Sequence, residues 1–435
     1  MGKDTESTAK DQIIKAEQLF KAKLFKKAGK TYHKAGNIYL KLNKFERAKD
    51  CFLSAMSSFL ELERYDTVLE LLRQAGEACL QNNQYLEAYQ LYKDAPDYIL
   101  KLRNEGDKNQ NLVLYSVLSY CCLHVKGSPE DGLDYIKRNR SKIDNEIFKE
   151  NNLIQMVSEL TLSLREKTIK YFEKIQDTIS ELKLRDSEVK LIKTVLLLTK
   201  AQILLESSLK VDKETYTTND LINFTLELNI EPLNQIVEDS FFNFQIKSLK
   251  ITKIVVNLSD NLTTHSKSEL PLSIANETIA ILPFIIKPHF QIDTSKIGPV
   301  FLTIEINDLV VFNYETQTLT PNLTSPPAAL LASIKNLRPP LLDQTFPLEI
   351  LVENRSEGEA LDVNLQLEFP EELKIMRGTT DKQIYSLRTN ETIKWELNLK
   401  PLEIGDYIIK MYMKFKDPDD NLIEEIKEFP FSIKM

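Results

Sequence analysis

Glycine is scarce, with 11 in 435 residues. A chain this poor in glycine has little with which to build a phosphate cradle, and no GxGxxG, GxxxxGK[ST] or GxSxG occurs. HExxH is missing too, and the histidines, His33, His124, His265 and His289, have no metal-ligand spacing. The cysteines are Cys51, Cys79, Cys121 and Cys122, all in the first third and none in a CxxC pair. They read as buried thiols of a reducing compartment rather than redox centres or metal ligands. The expectation is a chain with no catalytic residue, no cofactor and no metal.

Long apolar runs are also wanting. The most apolar stretch, "LIKTVLLLTKAQILL" (191–205), is too short to span a bilayer and carries Lys193 and Lys200. The start, "MGKDTESTAK", is too polar for a signal peptide, so the reading is cytoplasmic, with peripheral membrane contact as an extension. On that reading the sequons at Asn257, Asn276 and Asn390 are incidental. A net charge of −8 argues against general nucleic-acid binding.

Proline is nearly absent from the first half: Pro96 and Pro129 precede residue 230, and the other 15 of 17 follow it. Helical arrays exclude proline because it lacks an N–H and clashes with the preceding turn, whereas β structure takes it at edges and turns.

What the first half does contain is a repeat. "KAGNIYLKLNKFERAKDCF" (34–52) aligns on "QAGEACLQNNQYLEAYQLY" (74–92) without a gap, at an offset of 40. Inside it lies a shorter period of 20: Phe25, Phe45, Tyr65 and Tyr85 share one register, and Ala28, Ala48, Val68 and Ala88 another. Tyr32, Phe52, Leu72 and Tyr92 share a third. One helix of roughly 16–18 residues plus a short turn makes one unit, and two units make an antiparallel hairpin that buries its apolar face only by stacking on the next. Turns are expected near Lys23-Leu24, Asn43-Lys44, Arg64-Tyr65 and Asn83-Gln84, and Ala35 and Ala75 should lie at close helix crossings. The repeat fades after Leu102. "NEGDKNQN" (104–111) reads as a loop, and less regular helices continue to about Leu209.

At residue 220 the apolar period changes from 3.6 to 2, with Ile222, Phe224, Leu226, Leu228 and Ile230 alternating. The fold class expected is multidomain α + β: a tail (1–10), a helical-hairpin solenoid (11–210), a first β-sandwich (218–320), a Pro-rich boundary segment (321–342) and a second sandwich (343–435). The two β sets resemble each other, since "KIGPVFLTIEI" (296–306) aligns on "EIGDYIIKMYM" (403–413). The glycine turn before Tyr407 is similar to the corner of immunoglobulin-like sandwiches, and Trp395 reads as core. "DPDDNLIEEIKE" (417–428) has acids at EF-hand loop positions, but Leu422 stands where the sharp turn wants glycine, and the strand-like flanks favour a hairpin turn.

One charge feature stands apart. The first 50 residues hold 13 Lys and Arg against 6 Asp and Glu. Lys23, Lys26, Lys27, Lys30 and Lys34 recur at three- and four-residue spacing, so they share much of one helix surface. Such a stripe is either a solvated face or a contact for acidic lipid headgroups or an acidic partner.

The stretch "AGKTYHKAGNIYLKLNKFERAKDCFLSAMSSFLELERYDTVLELLRQAGEACL" resembles the SNAP adaptors, α- and γ-type, which disassemble SNARE complexes through TPR-like hairpins about 40 residues long. The likeness covers about 80–100 residues well and about 200 loosely. SNAPs are helical to the end, where they engage an AAA+ ATPase; here β structure follows, so that role does not carry over. A helical array followed by immunoglobulin-like domains is instead similar to the large subunits of TRAPP tethering complexes, on phrases such as "FPLEILVENRSEGEALDVNLQLEFPEEL". Together the resemblances imply a non-enzymatic adaptor or tethering subunit of vesicle traffic. Its solenoid would bind helical or extended protein segments, SNARE-like or tethering and GTPase components among them. The competing reading is a regulatory or sensory TPR-type protein whose sandwiches bind a ligand or a cell-envelope component.

Overall fold

A computed structural model describes residues 5–237, 241–242, 245–274, 278–289 and 294–434, so the sequon at Asn276 lies outside the described residues. The helices before residue 205 are α1 (Glu6–Lys21), α2 (Phe25–Lys41), α3 (Phe45–Leu60), α4 (Tyr65–Gln81), α5 (Tyr85–Ile99) and α6 (Glu105–His124). They continue as α7 (Pro129–Arg140), α8 (Asn145–Glu150), α9 (Asn152–Glu166), α10 (Phe172–Glu181) and α11 (Asp186–Leu204).

The 20-residue period has a backbone cause. Lys23, Asn43, Glu63 and Asn83 are left-handed, with φ of 59°, 54°, 51° and 58°. The N–H groups of Leu24, Lys44, Arg64 and Gln84, one residue later, reach back to the carbonyls of Leu19, Tyr39, Phe59 and Cys79 at 2.9–3.1 Å. This is the Schellman closure, which satisfies the last carbonyls of one helix and turns the chain into the next. The third turn is therefore Glu63-Arg64, one residue earlier than expected. Ala28, Ala48, Val68 and Ala88 are fully buried, as are Ala35 and Ala75.

The expected loop at 104–111 is instead the start of α6. Asn104 caps it, its side-chain oxygen accepting from the N–H groups of Gly106 (2.8 Å) and Asp107 (3.4 Å). A polar, solvent-facing first turn and a loop have the same composition; the cap distinguishes them. For the same reason the expected tail is helical from Glu6: α1 begins there, with Thr5 Oγ1 accepting from the Thr8 N–H at 3.2 Å.

The sheet-rich half begins sooner than its alternation suggested. Its first part holds β1 (Glu206–Val211), β2 (Thr215–Thr217), β3 (Ile222–Asn229), the short α12 (Glu231–Val237), β4 (Leu249–Leu258) and β5 (Leu262–Ser266). It continues with β6 (Leu272–Ser273), β7 (Ile279–Pro288), β8 (Ile297–Ile306), β9 (Val310–Glu315) and β10 (Asn322–Thr324). The second part has β11 (Leu330–Asn336), β12 (Phe346–Asn354), β13 (Ala360–Glu368), β14 (Leu373–Arg377), β15 (Asp381–Leu387), β16 (Thr392–Pro401), β17 (Gly405–Lys416) and β18 (Leu422–Ile433). Because β1 pairs with β3 from Glu206↔Asn229 onward, the helical segment ends at Leu204 rather than near 210. The Pro-rich segment 321–342 likewise contains β10, which pairs with β2, and β11, which pairs with β12.

The two β units repeat one topology. The first has sheets β1-β3-β7-β5 and β6-β4-β8-β9, and the second has β11-β12-β16-β14 and β15-β13-β17-β18. Numbering each unit's eight remaining strands in order, with β2 and β10 set aside, both read 1-2-6-4 and 5-3-7-8. The aligned strings at 296–306 and 403–413 fall on the same seventh strand, β8 in one unit and β17 in the other. Trp395 on β16 is half-buried against the second core, in register with Ile350. Tyr407 departs from the corner it resembled: its hydroxyl stands over Gly405, where a Cβ would lie 3.1 Å from it, and makes no hydrogen bond to a described residue.

The cores do not divide where the secondary structure does. One cluster runs from Leu69 through α6, α9 and α11 into β3, β4, β7 and β8 and ends at Leu323. The last β unit has its own core around Leu348, Leu365 and Met411. The first helices have a third, smaller one around Ala35, Phe52 and Ala75. Hydrogen bonds seal the helix–sheet junction: the Val311 N–H donates to the Val125 carbonyl (2.8 Å) and Asn313 Nδ2 to the Gly127 carbonyl (2.7 Å).

Candidate partner-binding surface

The five lysines singled out in the sequence lie on α2 and the turn before it. Lys23 occupies the left-handed turn position, and Lys26, Lys27, Lys30 and Lys34 follow on the helix; all five are exposed. At 100° per residue they fall within one arc, opposite the buried arc of Ala28, Ala35, Gly36 and Tyr39. Lys41, exposed at the end of α2 about two turns beyond Lys34, falls on the same arc.

None of the five lysines makes an ion pair with a described residue. Three cations at the start of α3 are paired instead. Lys44 and Arg47 both clasp Glu6, and that carboxyl is held down at about 2 by Lys44 and then Arg47. Lys49 bridges Glu46 and Glu87 at 2.6 Å each. Apart from Glu46, three residues from Lys49, these partners lie 38 to 41 residues away, where sequence spacing does not reach.

The other chemistry-bearing side chains are accounted for structurally. All four thiols are buried; burial pushes those of Cys51 and Cys79 up to about 12, and those of Cys121 and Cys122 also well up. Thiols held this far from the thiolate are poor nucleophiles. His33 stands 3.3 Å from the Asn37 amide, and His289 2.7 Å from the Thr263 hydroxyl. His124 is enclosed at the end of α6 between the Tyr120 hydroxyl (2.9 Å) and Thr199 (3.4 Å). The acidic string at 417–428 is the β17–β18 turn, 417–421, followed by the start of β18. Asp417 accepts from the N–H groups of Asp419 and Asn421 at 3.0 and 2.8 Å, and the Asp419 carboxylate accepts from the Ser325 N–H at 3.0 and 3.3 Å.

Sequence reasoning missed the largest polar assembly. Arg73 on α4 grips the buried Glu188 of α11, while Arg185 reaches Glu77 (2.9 Å) and Glu70 (2.6 Å). It ties α11 across the helical array, and no local pattern signals such a pairing. Among the described residues no helix is long and apolar enough to cross a membrane, and no group of His, Cys, Asp and Glu is placed to hold a metal ion.

No protein-family model matches this chain, and no curated protein matches it.

Proposed function

We propose that this chain is a non-enzymatic adaptor or tethering subunit of intracellular membrane traffic, which engages an acidic partner protein through the lysine face of α2. The observation that carries this reading is the contrast in charge compensation. Lys44, Arg47 and Lys49 are neutralised by Glu6 of α1, Glu46 of α3 and Glu87 of α5, while Lys23, Lys26, Lys27, Lys30 and Lys34 are left for something outside the described chain. In this reading the stacked hairpins form a TPR- and SNAP-like solenoid, supported by the Schellman turns at 20-residue spacing. The β units serve as immunoglobulin-like sandwiches that dock partners or set spacing. Their 1-2-6-4 sheets correspond in pairing to the ABED sheet of that class, and strands 3-7-8 to its CFG sheet.

The test replaces all five lysines with glutamate. Exposed charges contribute little to stability, so the fold should persist. Co-precipitation from the native cell should lose acidic partners, and binding by the wild type should weaken as salt rises, since screening acts over ~8–10 Å. Flotation with anionic and neutral liposomes runs in parallel; loss of lipid binding alone would identify the membrane, rather than a protein, as the contact. Equal recovery of partners and lipid by both proteins overturns the proposal.

A further inference from the structure

The regular packing of each helix on the next lapses once. From α1 to α7 every consecutive pair is packed together, and packing resumes from α8 to α11, but α7 and α8 make no extensive contact. Both α7 and α9 pack on α6. A trough is left between them, formed by two cavities of about 460 and 470 Å³ that share Phe148, Ile154 and Ser158. Each is many times the ~30 Å³ share of a water molecule.

The trough has an apolar floor and a basic rim. Leu133 and Ile136 of α7, and Ile154, Val157, Ser158, Thr161 and Leu162 of α9, line it as helix faces do, with Phe148 of α8 at the seam. Five cations border it, namely Lys137, Arg140, Lys149, Arg165 and Lys174, against the carboxylates Glu130 and Glu159. Lys137 is spoken for by Asp134 at 2.9 Å, and Lys174 by Glu159. Arg140, Lys149 and Arg165 make no ion pair with a described residue, and Arg140 is spread over the Phe148 ring at 5.3 Å. The rim therefore retains an excess of positive charge beside the half-buried Leu133, Phe148 and Leu162.

We propose that this trough is a second docking site, taken by an amphipathic helix of a partner protein that presents apolar residues flanked by glutamate or aspartate. Helical walls receive side chains spaced three and four apart, which a helix supplies along one face. Charge complementarity selects an acidic helix over a basic one and fixes its position on the rim. The site lies on α7–α9, away from α2, and does not depend on the lysine face.

Three labelled peptides of about 18 residues, some five helical turns, are titrated with the full chain by fluorescence anisotropy. The first carries leucines at i, i+3, i+4 and i+7 with flanking glutamates. The second has lysines for those glutamates, and the third has the first peptide's composition with the leucines scattered. The acidic amphipathic peptide should saturate, and the other two should bind at least about tenfold more weakly, a difference of ~1.4 kcal/mol. The exposed triple variant Arg140→Glu, Lys149→Glu, Arg165→Glu, and separately Leu162→Glu, should each weaken it by a similar factor while melting like the wild type. The five-lysine variant of α2 should bind as the wild type does, so failure here is distinguishable from failure of the function proposed above. Absence of saturation by the acidic peptide at about millimolar concentration, equal binding of the scattered peptide, or no effect of the triple reversal would each overturn the proposal.

Discussion

Arg73 on α4 and Glu188 on α11, 115 positions apart, form a two-pronged ion pair with both N···O distances at 2.6 Å. Glu188 is fully buried, and its Oε2 also accepts from the Arg185 N–H at 2.9 Å. Fixed geometry and a complete set of partners are what make a buried pair tolerable. Glu188→Ala leaves Arg73 facing a cavity without a counter-charge and should cost about 3–5 kcal/mol in urea unfolding. Replacing both residues with leucine or methionine should cost far less. A loss below about 1 kcal/mol for Glu188→Ala would mean the clasp does not hold α11 to the array.

Gly36 and Gly76 mark the helix crossings more sharply than their alanine neighbours. A Cβ on Gly36 would lie 2.6 Å from the Phe52 ring, and one on Gly76 would lie 2.3 Å from the Tyr92 ring. Both rings are fully buried and have nowhere to retreat. Alanine at either position gains up to ~1 kcal/mol of helix propensity, yet should destabilise by a net ~1–3 kcal/mol through overpacking. Ala35→Leu should cost a similar amount for the same reason. Combining Gly36→Ala with Phe52→Leu should recover part of the loss. An additive double mutant would refute direct contact between the two positions.

His124 gives the fold an acid-sensitive point. Burial lowers its pKa from 6.5 to about 4, so the unfolded chain binds its proton more readily than the folded one. Stability is full above about pH 6.5, declines as pH falls toward 4, and loses no more to this group below that. The loss amounts to roughly 3 kcal/mol. Since the Val125 carbonyl beside it accepts from Val311, acid should loosen the helix–sheet junction first. Unfolding free energies of wild type and His124→Gln, compared from pH 7 to 4, should diverge with that slope. Parallel curves would show that His124 is protonated in the fold.

Separable fragments should follow the cores. A break near 205–215 would split the cluster running from Leu69 to Leu323, so fragments 1–205 and 206–435 should aggregate or melt without cooperativity. A break between Pro326 and Pro327 leaves both clusters whole, losing chiefly the contact of the linker with Gly358 and the Asp419–Ser325 hydrogen bonds. Fragments 1–326 and 327–435 should each give a sharp calorimetric transition. A monomeric, cooperatively melting 1–205 would overturn this division.

The elements themselves were written locally. The register of Phe25, Phe45, Tyr65 and Tyr85 announced the helix starts because each turn is closed by backbone groups within six residues. The alternation from Ile222 to Ile230 announced β3 because strand side chains change face at every residue. Where polar first turns looked like tail or loop, at Glu6 and Glu105, only a capping hydrogen bond told helix from coil. What no local pattern held was anything that depends on residues brought together from far apart. That includes the single core shared by helices and first β unit, the Arg73–Glu188 clasp, and the neutralisation of Lys44, Arg47 and Lys49 beside an α2 face left bare. Burial and charge compensation are sums over all neighbours in space. A sequence gives the spacing of a lysine stripe, but whether a carboxylate stands opposite it is decided only when the chain has folded.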